Sequence, residues 1–386
     1  MKIYLVGGAV RDELLDLPVS ERDWVVVGAS PEQMQEQGYR RLDAAFPVFL
    51  HPESGDEYAL ARTERKTGPG YKGFEVEAGP EITLEQDLLR RDLTINALAR
   101  DEAGNLVDVC NGREDLDEGL LRHITPAFSE DPVRLLRVAR FAAKLGCWGF
   151  RVAHGTHALM KKMAASEDLS HLQAERIWKE LCRSLTEPQP WRFFEVLHRC
   201  GALARLLPEV ALSMGEPGGH GRQGEAAMAA LKRAVELSDD PVMRAAAALY
   251  PAARRVAALD AWLQSLRAGK EEAQLLRDLL FVEDRLPSAG EPAELLSLAS
   301  YLKPGQQPLR FSRFLLTAEA LWPNEMQALT QPLQAAAETL LSKPPPTFYA
   351  QGFSGAELGR ELKAWRTEAL RRRLADLPGK VGKGGS

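Results

Sequence analysis

Lys2-Ile3-Tyr4-Leu5-Val6-Gly7-Gly8-Ala9-Val10-Arg11-Asp12-Glu13-Leu14-Leu15 opens the chain, and its reading decides the fold. An apolar run meets paired glycines and then a segment of helical composition, so the sequence predicts strand, tight turn and helix. Glycines at such a junction let a backbone come close to a phosphate, and the first turn of a helix offers free N–H groups. Arg11, one turn in, can clamp phosphate oxygens with its fork of donors. Alone, the segment better suits a purely structural strand–turn–helix.

Glu21-Arg22-Asp23 then runs straight into Trp24-Val25-Val26-Val27. Side chains alternate along a strand, so Glu21 and Asp23 leave one edge together. Like charges so close repel unless a cation lies between them. Carboxylate oxygens suit Mg²⁺, which also takes substrate phosphates as ligands. In isolation these residues fit a solvated turn; beside Gly7-Gly8 and Arg11 they read better as a metal–triphosphate site.

Working outward, short β-rich runs occupy 2–6, 24–27, 47–50, 57–61 and 105–109, with glycine and proline between them. Residues 63–74 are polar and glycine-rich and read as a mobile loop. From Ser129 the periodicity becomes helical. Asp131-Pro132 reads as an N-cap with proline at the first helical position, and Leu135, Val138, Ala142 and Leu145 fall on one stripe. Ala/Leu/Arg-rich helices continue from there. Residues 213–224 read as an exposed connection or the scar of a lost element, and 377–386 as a frayed tail. The expected fold class is α+β: a small α/β head (1–127), a helical neck (128–210), and a helical body and tail (211–386), the helical part being elongated.

Of the 386 residues 45% are hydrophobic and 27% charged, which allows a sizeable core and predicts two to four domains at roughly 100–200 residues each. The net charge of −5 gives no global pull toward nucleic acid, so any RNA must be met by a local basic surface. Arg360, Lys363, Arg366, Arg371, Arg372, Arg373, Lys380 and Lys383 supply one, against Glu361, Glu368 and Asp376. Cys110, Cys147, Cys182 and Cys200 are scattered, without CxxC spacing, and read as reduced thiols. No signal peptide and no run of ~18 apolar residues is found, so a membrane span is excluded and the cytoplasm is the expected location.

Two further segments carry chemistry. In Arg90-Arg91-Asp92-Leu93-Thr94-Ile95-Asn96-Ala97-Leu98 a charged triplet precedes Thr and Asn inside an apolar run. It suits an ion-paired helix start, or a site in which Arg91 meets a triphosphate while Asp92 holds it in place. In Glu130-Asp131-Pro132-Val133-Arg134-Leu135-Leu136-Arg137-Val138-Ala139-Arg140, the residues Arg134, Arg137, Arg140 and the later Lys144 share a helical sector of roughly 120°. A solvated basic face would look the same. Against it, these cations have almost no acid among them and repel unless an anion is near. Asp131 and Arg134, at i and i+3, also have a specific use. A carboxylate accepts from the exocyclic amine of cytosine or adenine, and an arginine donates to the neighbouring ring acceptor. Uracil and guanine would leave both groups mismatched, the strong form of discrimination.

Together these segments resemble the class II tRNA nucleotidyltransferase/bacterial poly(A) polymerase family, and within it the gamma-proteobacterial CCA-adding enzymes. Residues 5–12, the acidic pair before Trp24, 90–97 and 130–134 follow in the family's order and spacing. The likeness is good over the first 145 residues and thins after about 210. It implies that the head is a nucleotidyltransferase domain and that the protein adds C, C and A to the 3′ end of tRNA from CTP and ATP, releasing pyrophosphate by two-metal Mg²⁺ catalysis. Glu21 and Asp23 would be the catalytic, magnesium-holding carboxylates. Gly8 and Arg11 would contact the incoming nucleotide. Arg91, Arg137 and Arg140 would bind the triphosphate region, and Asp131 with Arg134 would read the base edge. Glu57 matches an additional head carboxylate, and 63–74 resembles the loop that accompanies the change from CTP to ATP.

The implied partners are the tRNA acceptor arm, CTP and ATP, with no membrane and no DNA; the helical body and the basic stretch from Arg360 would hold the tRNA. Two departures stand out. Glu21 sits where many members have Asp. Around 244–251 there is no His-Asp pair of the phosphohydrolase domain that longer relatives carry, so no such activity is expected, and His51, His123, His154, His157, His171, His198 and His220 show no ligand spacing. Competing readings are a poly(A) polymerase or an A-adding enzyme of the same family, and a non-catalytic tRNA-binding protein. Poly(A) polymerases often carry basic terminal extensions, whereas here Gly-Gly begins at residue 7. Intact Glu21 and Asp23 speak against the binding protein.

Overall fold

The opening segment folds as read, into β1 (Lys2–Val6) and α1 (Gly8–Leu14). Gly7 between them takes φ +71°, a backbone state that glycine adopts at little cost. The computed structural model describes residues 1–19, 21–42, 47–68, 74–215, 222–286 and 290–377. It divides into two units, Met1–Gly221 and Arg222–Ser386.

In the first unit β2 (Asp23–Val27) pairs antiparallel with β1. Then come α2 (Pro31–Glu36), capped by Ser30, and β3 (Arg40–Arg41), β4 (Val48–Leu50) and β5 (Glu57–Leu60). A hairpin of β6 (Arg62–Lys66) and β7 (Phe74–Ala78) stands apart, followed by α3 (Leu84–Leu89), β8 (Leu98–Asp101) and β9 (Leu106–Asp108). Among the described residues the main sheet runs β3-β4-β5-β2-β1-β8-β9. Of its pairings, β2 with β5 is parallel and sets Asp23 opposite Glu57. β2 has apolar cover on both faces. Val25 joins a cluster with Val6, Leu88, Ala97 and Ala99, whereas Val26 joins Met34, Phe49, Tyr58 and Leu60. This is why residues 24–27 read as an unbroken apolar run.

The reading of 63–74 as a loop needs correction at both ends, because 63–66 and 74 lie in paired strands; residues 69–73 lie outside the described residues. The strand was hidden because its solvent face is charged rather than alternating: Arg65 pairs across to Glu75 at 3.0 Å. Likewise 213–214 belong to a helix and 222–224 to the next one, leaving 216–221 outside the described residues, as are 378–386 of the tail.

The helical part of this unit begins with α4 (Gly112–Asp117) and β10 (Leu120–Leu121). The helix expected after Pro132 is α5 (Val133–Leu145); its N-cap is Pro132, and Asp131, one residue earlier, accepts from the Val133 N–H at 3.1 Å. Leu135, Val138, Ala142 and Leu145 are all buried. β11 (Arg151–Val152), which pairs with β10, is followed by α6 (His154–Ala165), α7 (Ala174–Leu185), α8 (Trp191–Arg199), α9 (Leu203–Leu206) and α10 (Pro208–Met214). α5 lies between α7 and α8.

The second unit is helical: α11 (Arg222–Leu237), α12 (Pro241–Ala253), α13 (Leu259–Ser265), α14 (Lys270–Glu283), α15 (Pro292–Leu302), α16 (Pro308–Leu321), α17 (Pro323–Leu341), α18 (Pro346–Tyr349) and α19 (Gly355–Ala375). Prolines start many of these helices, where the missing N–H is not needed. Buried Asp278 is held by two Arg310 bonds of 2.7 Å, and the small residues Ala245, Ala246, Ala247 and Ala248 let α12 pack closely. The basic stretch at the C-terminal end is partly committed. Arg366 and Arg373 bond to α17, and Arg371 and Arg372 pair with Glu368. Among the described residues no helix is long and apolar enough to cross a membrane.

Candidate functional site

A cleft of about 1160 Å³ in the first unit gathers every residue that the sequence nominated for metal and nucleotide. Gly7, Gly8 and Arg11 line it from the first turn, and Glu21, Asp23 and Glu57 from the ends of β2 and β5. Arg91 and Asp92 come from the segment after α3, Asp131 from just ahead of α5, and Arg134, Arg137, Arg140 and Lys144 from α5.

The carboxylates sit at the mouth. Asp23 is exposed, yet crowding by the cleft walls pushes its carboxyl above the usual range; Arg91 opposes this and the Glu21 charge adds to it. Glu57 is its register partner on the parallel strand, so their side chains share a face. Oxygen-only donors with mutual repulsion fit a hard divalent cation. Among the described residues no group of three or more His, Cys, Asp and Glu side chains closes on one point. A divalent cation held there by two carboxylates would take its remaining ligands from substrate and water.

Arg91 lies directly behind the first turn. A Cβ on Gly7 would come within 2.7 Å of its Nη1, so the glycine makes room for the guanidinium. Its anchor corrects the sequence reading, because Asp87 and not Asp92 holds it, accepting from Nη2 at 3.2 Å. Burial alone would raise the Asp87 carboxyl, but Arg90 and Arg91 outweigh it and bring it below its ordinary value. Asp92 turns to α5 and accepts from Arg137 Nε at 2.6 Å, from Asn96 Nδ2 at 2.9 Å and from the Leu93 N–H at 2.9 Å. Although burial opposes it, these donors hold the Asp92 carboxyl far below the usual carboxylate range.

Most of the α5 cations are not left to repel one another, as their own helix would suggest. The acids come from elsewhere in the fold. Arg137 has Asp92, Arg140 has Glu180 at 2.9 Å and Glu187 at 3.5 Å, and Lys144 has Asp12 at 2.8 Å. Arg11 bonds Asp12 at 2.8 Å and also donates to Asn96. Phe141 provides a shared platform, with Arg11, Arg137 and Arg140 at 5.1, 5.7 and 4.7 Å from its ring centre. Thus the arginines are held in place by the fold itself.

Asp131 and Arg134 both line the cleft, each braced by other residues. Arg176 donates to the two Asp131 oxygens at 3.4 and 3.3 Å, and Arg134 donates to the main-chain oxygens of Arg90 at 2.7 Å and Ala127 at 3.3 Å. Sequence reasoning missed Arg176, Lys179 and Arg183 on α7, which line the same cleft. Their i, i+3, i+7 spacing was available as a signal. The role of Phe141 as platform had none.

A mixed-sheet head with a carboxylate pair beside a glycine turn, joined to a helix carrying cations, defines the class of polymerase-type nucleotidyltransferases. A family model described as the poly A polymerase head domain matches residues 3–122. Another, described as the probable RNA and SrmB-binding site of polymerase A, matches 149–214. The chain is 44% identical to the multifunctional CCA protein of Thioalkalivibrio sulfidiphilus over 98% of its own length and 100% of that protein's. It is 45% identical to the CCA-adding enzyme of Pseudomonas putida over 96% and 98%. The chain belongs to this family of CCA-adding nucleotidyltransferases. Solved structures share the fold: the Thermotoga maritima CCA-adding enzyme complexed with tRNA matches at 22% identity and TM-score 0.67, covering 97% of this chain and 91% of that one. The Bacillus stearothermophilus CCA-adding enzyme in complex with CTP matches at 21% identity and TM-score 0.66, covering 97% and 95%.

Proposed function

We infer that the chain adds C, C and A to the 3′ end of tRNA from CTP and ATP, releasing pyrophosphate. The observation that carries this is the sharing of one cleft by the Glu21–Asp23 pair, the glycine turn and the Asp131–Arg134 pair. Chemistry on the phosphate and choice of base then belong to a single bound nucleotide. Near-complete alignment with curated CCA proteins supports the same reading.

Glu21 and Asp23 would hold Mg²⁺, which would supply Lewis-acid activation of the tRNA 3′-hydroxyl and charge compensation at the leaving group. Arg11, Arg91, Arg137 and Arg140 bind the triphosphate, and Gly8 lets the backbone approach it. Because these guanidiniums are already fixed by Asp12, Asp87, Asp92 and Glu180, little reorganisation is needed in the transition state. Asp131 accepts from the exocyclic amine of C or A, and Arg134 donates to the adjacent ring acceptor, so U and G are refused without a template.

The test is incubation with tRNA lacking its 3′ end, with CTP and ATP supplied separately and together, followed by sequencing of the product. Addition of C-C-A in that order supports the reading. A long adenosine tail would assign a poly(A) polymerase, and no incorporation would overturn catalysis.

A further inference from the structure

Among the cations that line the nucleotide cleft from α5, Lys144 has no task in the reaction proposed above. It stands two turns beyond Arg137, roughly 10 Å along the axis and on the same side of the helix. Both side chains reach the head through an aspartate. Arg137 Nε donates to Asp92 Oδ2 at 2.6 Å, and Lys144 Nζ donates to Asp12 Oδ2 at 2.8 Å.

Inside the head the two aspartates are joined. Arg11 reaches Asp12 Oδ1 through Nε and Nη2, each at 2.8 Å, and donates through Nη1 to Asn96 Oδ1. Asn96 Nδ2 in turn donates to Asp92 Oδ1 at 2.9 Å. Arginine can only donate and a carboxylate only accept, so the Asn96 amide fits between them one way round. Arg137–Asp92–Asn96–Arg11–Asp12–Lys144 is thus an unbroken chain that leaves α5, crosses the head and returns to α5. Asp92, Asn96, Arg11 and Asp12 are buried, whereas Arg137 and Lys144 at its ends keep partial access to water. A buried polar chain with every link satisfied is rigid, and a loss at one end is felt along it.

We propose that Lys144 is a positioning residue for the incoming nucleotide: it holds Arg11 through Asp12 and makes no phosphate contact of its own. The proposal deepens the nucleotide reading of the cleft and rests on it. Asp12 Oδ1 anchors Arg11, and Lys144 occupies Oδ2. Without the ammonium, the carboxylate turns to offer both oxygens to the guanidinium, whose fork fits a bidentate partner. That turn draws Arg11 off Asn96 and off the Phe141 ring, which it overlies at 5.1 Å. With Lys144 in place, the N–H groups of Arg11 that Asp12 and Asn96 do not use stay available to the cleft it lines.

CTP and ATP binding to the full-length chain is measured by equilibrium dialysis for K144M, K144R, R11K and K144M/R11K. Incorporation into tRNA lacking its 3′ end is read alongside. K144M should weaken both nucleotides about tenfold, the worth of one charge-assisted hydrogen bond. Its kcat should stay within about threefold of wild type, the mark of lost ground-state binding, and K144R should restore affinity. R11K keeps the charge and gives up the fork. In that background K144M should cost less than about twofold more, because coupled residues are not additive.

A folded K144M with wild-type affinity would overturn the proposal, whether or not its melting temperature falls. So would a loss in the R11K background as large as in wild type, which marks a direct phosphate contact by Lys144. If K144M does not fold, K144Q, which still donates to Asp12 without a charge, enters the same cycle with a loss of about threefold expected. Failure of the CCA reading has a different signature: wild type binds CTP and adds nothing to tRNA, and the affinity cycle still decides the role of Lys144.

Discussion

Arg137 of α5 donates through Nε to Asp92 Oδ2 at 2.6 Å, tying the first neck helix to the head segment that also supplies Arg91. Asp92 is buried and Arg137 one-third exposed, so the charge pair lies at the edge of the water-excluded wall. Through it, cations that a sequence reader sees as unpaired become fixed parts of the cleft.

Asp92→Asn keeps the side-chain shape and removes the charge. Breaking a buried pair costs about 3–5 kcal/mol, and because Arg137 keeps partial access to water we expect about 2 kcal/mol. At about 2–4 °C per kcal/mol, the melting transition of the first unit should fall by roughly 4–8 °C by calorimetry. The pH dependence follows the depressed folded pKa of Asp92. The stabilisation is complete above the unfolded value near ~3.9 and is lost as pH drops below it toward the folded value. Wild type should thus begin to lose its advantage over the variant below about pH 4. An equal gap at pH 6 and pH 3 would exclude this account.

Asp23→Ala should reduce nucleotide incorporation by about 10³-fold, since metal stabilisation of the transition state is worth several kcal/mol and each 1.36 kcal/mol is tenfold. tRNA binding should persist. Because crowding raises the Asp23 carboxyl above its usual range, wild-type activity should fall with decreasing pH earlier than an ordinary aspartate would dictate. More Mg²⁺ should move the midpoint to lower pH, since the metal favours the ionised form. A midpoint indifferent to magnesium would argue against Asp23 as ligand.

Gly7→Ala carries two penalties, a left-handed φ of +71° and a Cβ 2.7 Å from Arg91 Nη1. The backbone cost is about 1–3 kcal/mol. Displacing Arg91 should also weaken CTP and ATP binding about tenfold, the worth of one charged hydrogen bond. Wild-type nucleotide affinity in the variant would remove Arg91 from the triphosphate site.

Arg134→Ala should admit UTP and GTP, with the preference for CTP over UTP falling by about 10–10². Stability should change little, since Arg134 bonds main-chain oxygens and no acid loses its partner. Single-nucleotide incorporation with each of the four triphosphates reads this directly. An unaltered choice of base would end the assignment of base reading to this residue.

Much of the protein was legible locally. The strand–glycine–helix start needs only the apolar run and the conformational freedom of Gly7. Strand alternation accounts for Asp23, the first residue of β2, but not for Glu21, which lies ahead of the strand. The α5 core stripe follows from helical period, because Leu135, Val138, Ala142 and Leu145 must face the same way whatever they pack against. The β6–β7 hairpin was not legible, since its charges pair across the strands and mask any period-2 signal.

What the sequence by itself determined was the local elements, and with them the residues that come to line the cleft, since propensity and periodicity act over a few positions. Only the tertiary structure decided the partners: Asp87 for Arg91, Asp92 for Arg137, Glu180 for Arg140, Asp12 for Lys144, and Phe141 beneath three guanidiniums. Asp92 with Arg137, Glu180 with Arg140, Asp12 with Lys144 and Phe141 with Arg11 span long stretches of chain. Charge attraction has no sequence period, so distant partners are chosen by where packing brings the backbone.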